Sequence, residues 1–156
     1  MKPKPKPKPK PILRGERIPK KIKKQNYYRP GFVYIFHDPL AVLAEGITMC
    51  KVGLSGTPKR RRYYLSEEYQ SNLIIKAIAP TMNMRLTEIV MHQILKKHNV
   101  LRKQGLDGYT EWFAVNSLRI IQMRASLYLV AIAINFLYLV VVVVIILMIV
   151  QIVVEN

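Results

Sequence analysis

Two groups of side chains in the middle of this 156-residue sequence have types and spacing that suit chemistry. Glu88 and His92 are four residues apart in the segment 87–98, so they share one face if that segment is a helix. Lys59, Arg60, Arg61 and Arg62 form a basic run in which clustered cations could contact phosphate. A carboxylate and an imidazole can bind a cation or handle protons. Each group taken alone is equally typical of a solvated helix face.

Apolar patterning indicates the elements that must position these groups. Residues 32–36 (FVYIF) and 49–54 (MCKVGL) each predict a strand, and residues 72–79 predict a third strand closed by Pro80. Helices are predicted from Thr57-Pro58, over residues 87–98 with Asn83 as a candidate cap, and from about Asn116. The order β-β-α-β-α-α indicates an α+β domain with a small three-stranded antiparallel sheet flanked by helices.

Five short motifs follow one another between residues 31 and 115. They are Gly31-Phe32-Val33-Tyr34-Ile35, then Lys51-Val52-Gly53, then Arg61 on the first helix, Glu88 on the next, and finally Glu111-Trp112-Phe113. This series resembles the GIY-YIG nuclease superfamily, in particular a branch of phages and large DNA viruses whose second motif reads Lys-Ile-Gly. The sequence departs from the superfamily pattern because Lys51 stands where the second tyrosine is expected.

The resemblance implies a metal-dependent endonuclease that hydrolyses DNA phosphodiester bonds. Tyr34 would be the general base, with its pKa lowered from about 10 by the cations Lys51 and Arg61. Arg61 would clamp the phosphoryl oxygens, and Glu88 would bind Mg2+ or Mn2+. His92 would orient a phosphate, contact the tyrosine or simply pack. The remaining basic residues of the first helix would bind the DNA backbone, namely Lys59, Arg60 and Arg62.

The two ends of the chain differ in character and explain how a net charge of +16 coexists with 51% hydrophobic residues. Residues 1–30 carry twelve Lys and Arg, including a Lys-Pro repeat over residues 2–11, and predict a disordered basic arm. Residues 31–116 are the predicted nuclease-like domain, and residues 117–124 a helical connector. Residues 125–154 contain no charged residue and predict a transmembrane helix. Cys50 is the single cysteine, which excludes an intramolecular disulfide.

Flanking charge predicts the orientation of this helix. Arg119 and Arg124 precede it, so the positive-inside rule favours a single-pass, tail-anchored protein with its N-terminal domain in the cytoplasm. A buried core helix and an unrelated apolar extension are the alternatives. A second functional hypothesis is a catalytically inactive, membrane-anchored adaptor whose arm binds nucleic acid or anionic lipid. The sequence gives no indication of the oligomeric state.

Overall fold

The computed structural model describes residues 29–102 and 110–155, so the predicted disordered arm lies, except for its last two residues, outside the described part. The described residues form an α+β domain with one antiparallel sheet in the order β3-β1-β2-β5-β4. Its strands are β1 (Gly31–Asp38), β2 (Thr48–Ser55), β3 (Ile74–Thr81), β4 (Asn99–Val100) and β5 (Trp112–Val115). The helices are α1 (Pro58–Glu68), α2 (Met84–Leu95) and α3 (Ser117–Glu155), with a 3-10 turn at Lys96–His98.

The α+β class is confirmed, but the predicted three-stranded sheet is wrong, because five strands pair among the described residues. The two extra strands are short. β5 pairs with β2, with Trp112 opposite Lys51, and the two-residue β4 pairs with β5. The third predicted strand also continues through Pro80 to Thr81. Proline is tolerated there because β3 is an edge strand, where an amide donor is not needed on the outer side.

Alternation of side chains along the strands gives the sheet two faces of different character. The face that we call the polar face carries buried Tyr34, Asp38, Lys51 and Trp112, and α1 covers it through Leu65. The face that we call the apolar face is covered by α2 and α3. Its buried strand residues are Val33, Ile35, Cys50, Val52, Ala77, Ala79, Phe113 and Val115.

Helix α3 has two halves. In the first half, one residue in every three or four is buried in the core of the apolar face, as an amphipathic helix requires. These residues are Ile120, Met123, Leu127, Ala131 and Ile134. In the second half every residue from Leu139 to Glu155 is exposed. The predicted start of the membrane segment, residue 125, therefore falls inside the half that packs on the domain.

Three side-chain hydrogen bonds mark the end of the packed half. The Asn135 side chain accepts from the Met82 amide at 2.8 Å and donates to the Pro80 carbonyl at 3.2 Å. Three residues further on, the Tyr138 hydroxyl accepts from the Asn83 side chain at 3.0 Å. The polar side chains that precede the exposed apolar half thus bind the loop between β3 and α2. In length and composition this helix is apolar enough to cross a membrane.

Candidate active site

Tyr34 lies in the centre of the sheet and is almost fully buried. It faces Gly53 across the β1–β2 pair, and a Cβ atom at Gly53 would be 2.6 Å from the tyrosine hydroxyl. The glycine of the second motif is therefore required by the close approach of the Tyr34 ring. On its other side this ring stacks on Phe36, with 3.9 Å between ring centroids. The hydroxyl is consequently held in one place by packing.

The electrostatic environment of Tyr34 differs from the sequence expectation. Arg61 of α1 hydrogen-bonds the phenol and lowers its pKa, as predicted. Burial acts in the opposite direction and more strongly, so the pKa of Tyr34 is raised above its usual value. The prediction of a lowered tyrosine pKa is therefore wrong for the domain without substrate. The phenol is protonated throughout the neutral range.

Lys51 is fully buried on the polar face and forms an ion pair with Glu111, with 2.7 Å between Nζ and Oε2. The same ammonium lies 5.6 Å from the centre of the Trp112 ring. Glu111 directly precedes β5, so the pairing of β5 with β2 brings it to Lys51. The sequence predicted that Lys51 would lower the pKa of Tyr34, whereas burial and the charges of Arg61, Glu111 and Glu88 govern that pKa.

Glu88 lies in the first half of α2 and is 3% exposed. The helix begins as predicted, because the Asn83 side chain caps it by accepting from the Leu86 amide at 3.0 Å. Burial raises the pKa of Glu88, and the negative charge of Glu111 adds to this shift. Arg85 partly offsets both effects through an ion pair of 2.7 Å. Glu88 is thus a buried carboxylate beside a second carboxylate, an arrangement that favours a nearby cation.

His92 lies one turn after Glu88 on the same helix. Its Nε2 is 3.3 Å from the Val52 carbonyl oxygen, and its ring packs edge-on against Phe113. Burial lowers the pKa of His92 below its usual value of 6.5, so the ring is neutral at physiological pH. When Nε2 carries the proton and donates it to Val52, Nδ1 is a hydrogen-bond acceptor.

Of the predicted catalytic residues, Arg61 of α1 hydrogen-bonds Tyr34 of β1, and Lys51 of β2 lies on the same polar face, whereas Glu88 and His92 lie on α2, which covers the apolar face. Glu88 influences the pKa of Tyr34, and Lys51 influences the pKa of both α2 residues. In residues 29–102 and 110–155, no three His, Cys, Asp or Glu residues are grouped as metal ligands. Any cation here would depend on carboxylates and on ligands from the substrate.

Sequence reasoning assigned no role to two residues of this cluster. Glu111 entered only as part of the Glu-Trp-Phe motif, and Arg85 did not enter at all. Both influence the pKa of Glu88 and His92. The motif was a usable signal for Glu111, because Trp112 and Phe113 are both buried and must fix their neighbour. Arg85 had a weaker signal, its position three residues before Glu88 on the same helix.

The basic residues of α1 separate into exposed and partly buried ones. Lys59 and Arg60 are exposed, and Arg60 donates hydrogen bonds to the hydroxyl of Tyr64 from both Nε and Nη2. Arg62 is partly buried and donates to the Leu73 carbonyl at 3.4 Å. The predicted DNA contacts of Lys59, Arg60 and Arg62 stay predictions. Exposure makes the first two available to a phosphate backbone.

The chain belongs to the T5orf172 domain family, whose model matches residues 31–127, more than half of the sequence. This match suggests a nuclease-like or DNA-binding function. This is a domain of the phage endonuclease type. The match extends past residue 116, where the sequence predicted the domain to end, and includes the buried half of α3 as far as Leu127. No curated protein and no solved structure matches the chain.

Proposed function

We propose that this protein is an endonuclease of the GIY-YIG type that hydrolyses DNA phosphodiester bonds with Mg2+ or Mn2+ and is tethered to a membrane by α3. The observation that carries the proposal is the hydrogen bond between Arg61 and Tyr34. The negative charges of Glu88 and Glu111 also act on the pKa of this phenol. An arginine fork, a fixed hydroxyl and two carboxylates are the groups that phosphodiester hydrolysis requires. The T5orf172 match supports a nuclease-like function independently of these side chains.

In this proposal Arg61 binds the non-bridging phosphoryl oxygens and stabilises their developing charge. Tyr34 keeps its proton, because burial raises its pKa, and orients the attacking water by hydrogen bonding. Lys51 holds Glu111 in position through their ion pair. Tyr34 and Lys51 are buried, so packing holds both side chains in place, which is the condition for a precise site.

The proton of the attacking water would be accepted by His92. Its lowered pKa keeps the imidazole neutral at physiological pH, and its Nε2 contact with Val52 leaves Nδ1 as the accepting nitrogen. A base of this kind gives a cleavage rate that rises through acid pH and is level above a pH of about 6.5. If Tyr34 were the base, the rate would instead keep rising above a pH of about 10. A pH profile of cleavage distinguishes the two.

The carboxylates fit a divalent cation of the magnesium type. Mg2+ accepts one or two protein carboxylates and completes its shell with waters and phosphate oxygens. Glu88 would hold the ion with Glu111 beside it, and the raised pKa of Glu88 indicates that a positive charge is favourable there. Bound in this position, the cation would stabilise negative charge on the leaving oxygen. Arg85 serves as the counter-ion of Glu88 in the domain without metal.

The membrane tether rests on the second half of α3. Its best window of 18 residues has a mean hydropathy of 3.3, and none of it is buried against the domain. With Arg119 and Arg124 on the domain side of this window, the positive-inside rule places the domain in the cytoplasm. Alkaline carbonate extraction of membranes that contain the expressed protein tests the tether. An integral protein stays in the pellet.

Nicking of supercoiled plasmid by the full chain in detergent, with Mg2+ present, tests the enzyme activity. We expect Glu88→Gln, Arg61→Ala and Tyr34→Phe each to lower the rate by at least about a hundredfold. Glu67→Gln and Tyr63→Phe are the matched controls, because both residues are exposed on α1, and they should nick like the parent protein. Activity that survives in all three site variants would reject this site. DNA binding without any cleavage would instead support the adaptor hypothesis.

A further inference from the structure

The end of the domain from which α3 departs is fixed by hydrogen bonds. Asn135 binds the backbone of Pro80 and Met82, and Tyr138 binds Asn83. After Tyr138 the same helix continues to Glu155 without interruption. The domain and the apolar segment are therefore joined by a continuous helix that is bonded to the domain at the junction. A flexible linker is absent from this part of the described chain.

The segment after Tyr138 has the properties of a helix immersed in lipid. Residues 139–150 are all Leu, Val, Ile or Met, and all are exposed, so no helix face is polar. A protein partner would cover one face and leave apolar faces in water, whereas hydrocarbon solvates every face equally. Residues 139–155 extend for about 26 Å at 1.5 Å per residue, comparable to a bilayer core of about 30 Å. Every described residue after Tyr138 is exposed, so lipid would begin directly at the end of the domain.

The basic arm enters the domain at this same end. The Arg29 carbonyl accepts from the Met84 amide at 3.4 Å, and Gly31 pairs with Thr81 at the start of β1. Eleven Lys and Arg residues precede Arg29 in the sequence. Basic residues close to an anionic membrane surface are attracted to it electrostatically. The described chain thus begins, directly after these eleven basic residues of the sequence, at the end of the domain where headgroups would lie.

Apart from Arg29, the exposed residues of this end are apolar. Met82 is 45% exposed in the loop between β3 and α2, and Phe136 is 65% exposed on the neighbouring turn of α3. Both lie next to the Asn135 and Tyr138 contacts. Exposed apolar side chains at the end of a basic domain are typical of surfaces that lie in the headgroup region.

We propose that this end of the domain, which we call the basal surface and define by residues 29–31, 80–84 and 135–138, is seated directly on an anionic bilayer. The inference rests on the proposed membrane tether and adds to it a fixed orientation. Asn135 and Tyr138 form their side-chain hydrogen bonds with the domain, at the depth where the hydrocarbon begins. The basal surface therefore positions the active site at a constant height above the lipid.

Site-specific fluorescence of the full chain in vesicles tests this seat. An environment-sensitive probe is attached at Met82→Cys, or at Leu40→Cys as the matched control. Leu40 is exposed and lies two residues beyond the opposite end of β1, a strand that is about 24 Å long. Native Cys50 does not interfere, because it is fully buried and burial raises its pKa to about 12. The vesicles are phosphatidylcholine with or without phosphatidylglycerol, and brominated lipids serve as quenchers.

We expect the probe at position 82 to shift to the blue and to be quenched several-fold more than the probe at position 40. Phosphatidylglycerol should strengthen that quenching, and replacing the five lysines of residues 2–10 with glutamine should remove the strengthening. Asn135→Ala combined with Tyr138→Phe should lower the quenching at position 82 while the protein still floats with the vesicles. This variant distinguishes a weakened contact between the basal surface and the bilayer from a loss of membrane anchoring.

Two results would overturn the proposal in different ways. Protein that floats with vesicles but shows equal quenching at positions 82 and 40 would refute the seat and leave the tether standing. Protein that does not float would refute both. If duplex DNA rather than phosphatidylglycerol changes the signal at position 82, the partner of the arm is nucleic acid, and an anionic seat is excluded.

Discussion

The two faces of the sheet are built from the same strands but hold very different groups. The apolar face buries a continuous cluster of aliphatic side chains and Phe113 beneath α2 and α3. The polar face buries two ion pairs, Lys51 with Glu111 and Asp38 with Arg102, together with the hydroxyl of Tyr34. The Arg102 guanidinium also stacks on the Trp112 ring, with 4.1 Å between its Cζ and the ring centroid. Neighbouring residues of one strand therefore serve opposite purposes.

Because successive residues of a strand point to opposite faces of the sheet, one alternating set of residues stabilises the domain and the other set forms the candidate site. Apolar burial contributes about 25 cal/mol per Å2 and needs no special geometry. Buried charges contribute little or even destabilise, and removing one partner of a pair is costly. A domain that retains buried ionic groups on one face must obtain its stability mainly from the other. Helix α3 contributes part of this apolar burial. It therefore stabilises the domain in addition to carrying the exposed apolar segment.

The largest effect should come from shortening α3. A chain that ends after Leu118 lacks the five buried residues of the first half, each worth about 1.5–3 kcal/mol where large and fully buried. The loss exceeds about 5 kcal/mol, comparable to the whole stability of a small domain. We expect this chain to be unfolded by circular dichroism. A chain that ends after Tyr138 keeps the buried residues and should melt cooperatively.

Equal melting curves for these two chains would contradict the assignment of α3 to the core. In that case the apolar face would have to be stable beneath α2 alone. The longer fragment also serves as a control for solubility, because it lacks the exposed apolar residues that follow Tyr138.

The next effect concerns the ion pair of the polar face. Glu111→Gln removes the carboxylate that faces the fully buried Lys51 ammonium, and we expect a loss of about 3 kcal/mol in unfolding free energy. Lys51→Met removes the buried charge itself and leaves Glu111, which is 31% exposed in its side chain, partly solvated. We expect the Lys51→Met substitution to lower the unfolding free energy by less than about 1 kcal/mol. Urea unfolding of both variants measures the asymmetry, and equal losses would show that the pair is not buried in solution.

Apolar runs predicted β1, β2 and β3, apolar periodicity predicted α2, and the Thr57-Pro58 signal predicted the start of α1. These signals missed β4 and β5, which have two and four residues and form only because β2 offers a free edge. The same tertiary effect moved the end of the domain. Residues 125–134 are apolar enough to suggest lipid, yet Leu127, Ala131 and Ile134 are buried by the protein. Composition alone does not distinguish these two apolar environments.

The candidate site was predicted by residue types in order, and its electrostatics were not. The sequence indicated cations beside Tyr34, which is correct for Arg61, and a lowered pKa, which is wrong. The sign of that shift depends on the burial of the phenol, a property of the folded sheet. Glu111 became a site residue only when β5 paired with β2. Motifs therefore give the members of a site, whereas strand pairing gives their partners.

A smaller effect is expected from a single methyl group on the polar face. Gly53→Ala would place a Cβ 2.6 Å from the Tyr34 hydroxyl and displace the ring from Arg61. A shift of this kind should lower the nicking rate by about a hundredfold, and overpacking against the buried ring should lower the unfolding free energy by about 1–3 kcal/mol. Gly56→Ala is the matched control, because its Cβ would have no neighbour within 4 Å. Identical nicking rates for the two variants would show that the position of Tyr34 does not matter for cleavage.

The smallest effect should reverse the usual sign of a mutation. Burial raises the folded-state pKa of Glu88 above its ordinary value of 4.5, so its ionisation destabilises the folded domain as pH rises through that raised pKa. Glu88→Gln removes this penalty and also the ion pair with half-exposed Arg85, and burial affects the pKa of Glu88 more strongly than that pair does. We expect the variant to be inactive yet more stable than the parent protein at neutral pH. Urea unfolding as a function of pH measures this gain in unfolding free energy. The gain should disappear below pH 4.5, where the parent carboxyl is protonated in both states.

A variant that is less stable at neutral pH would mean that the Arg85 pair outweighs burial, and Glu88 would then belong with the stabilising residues of the domain.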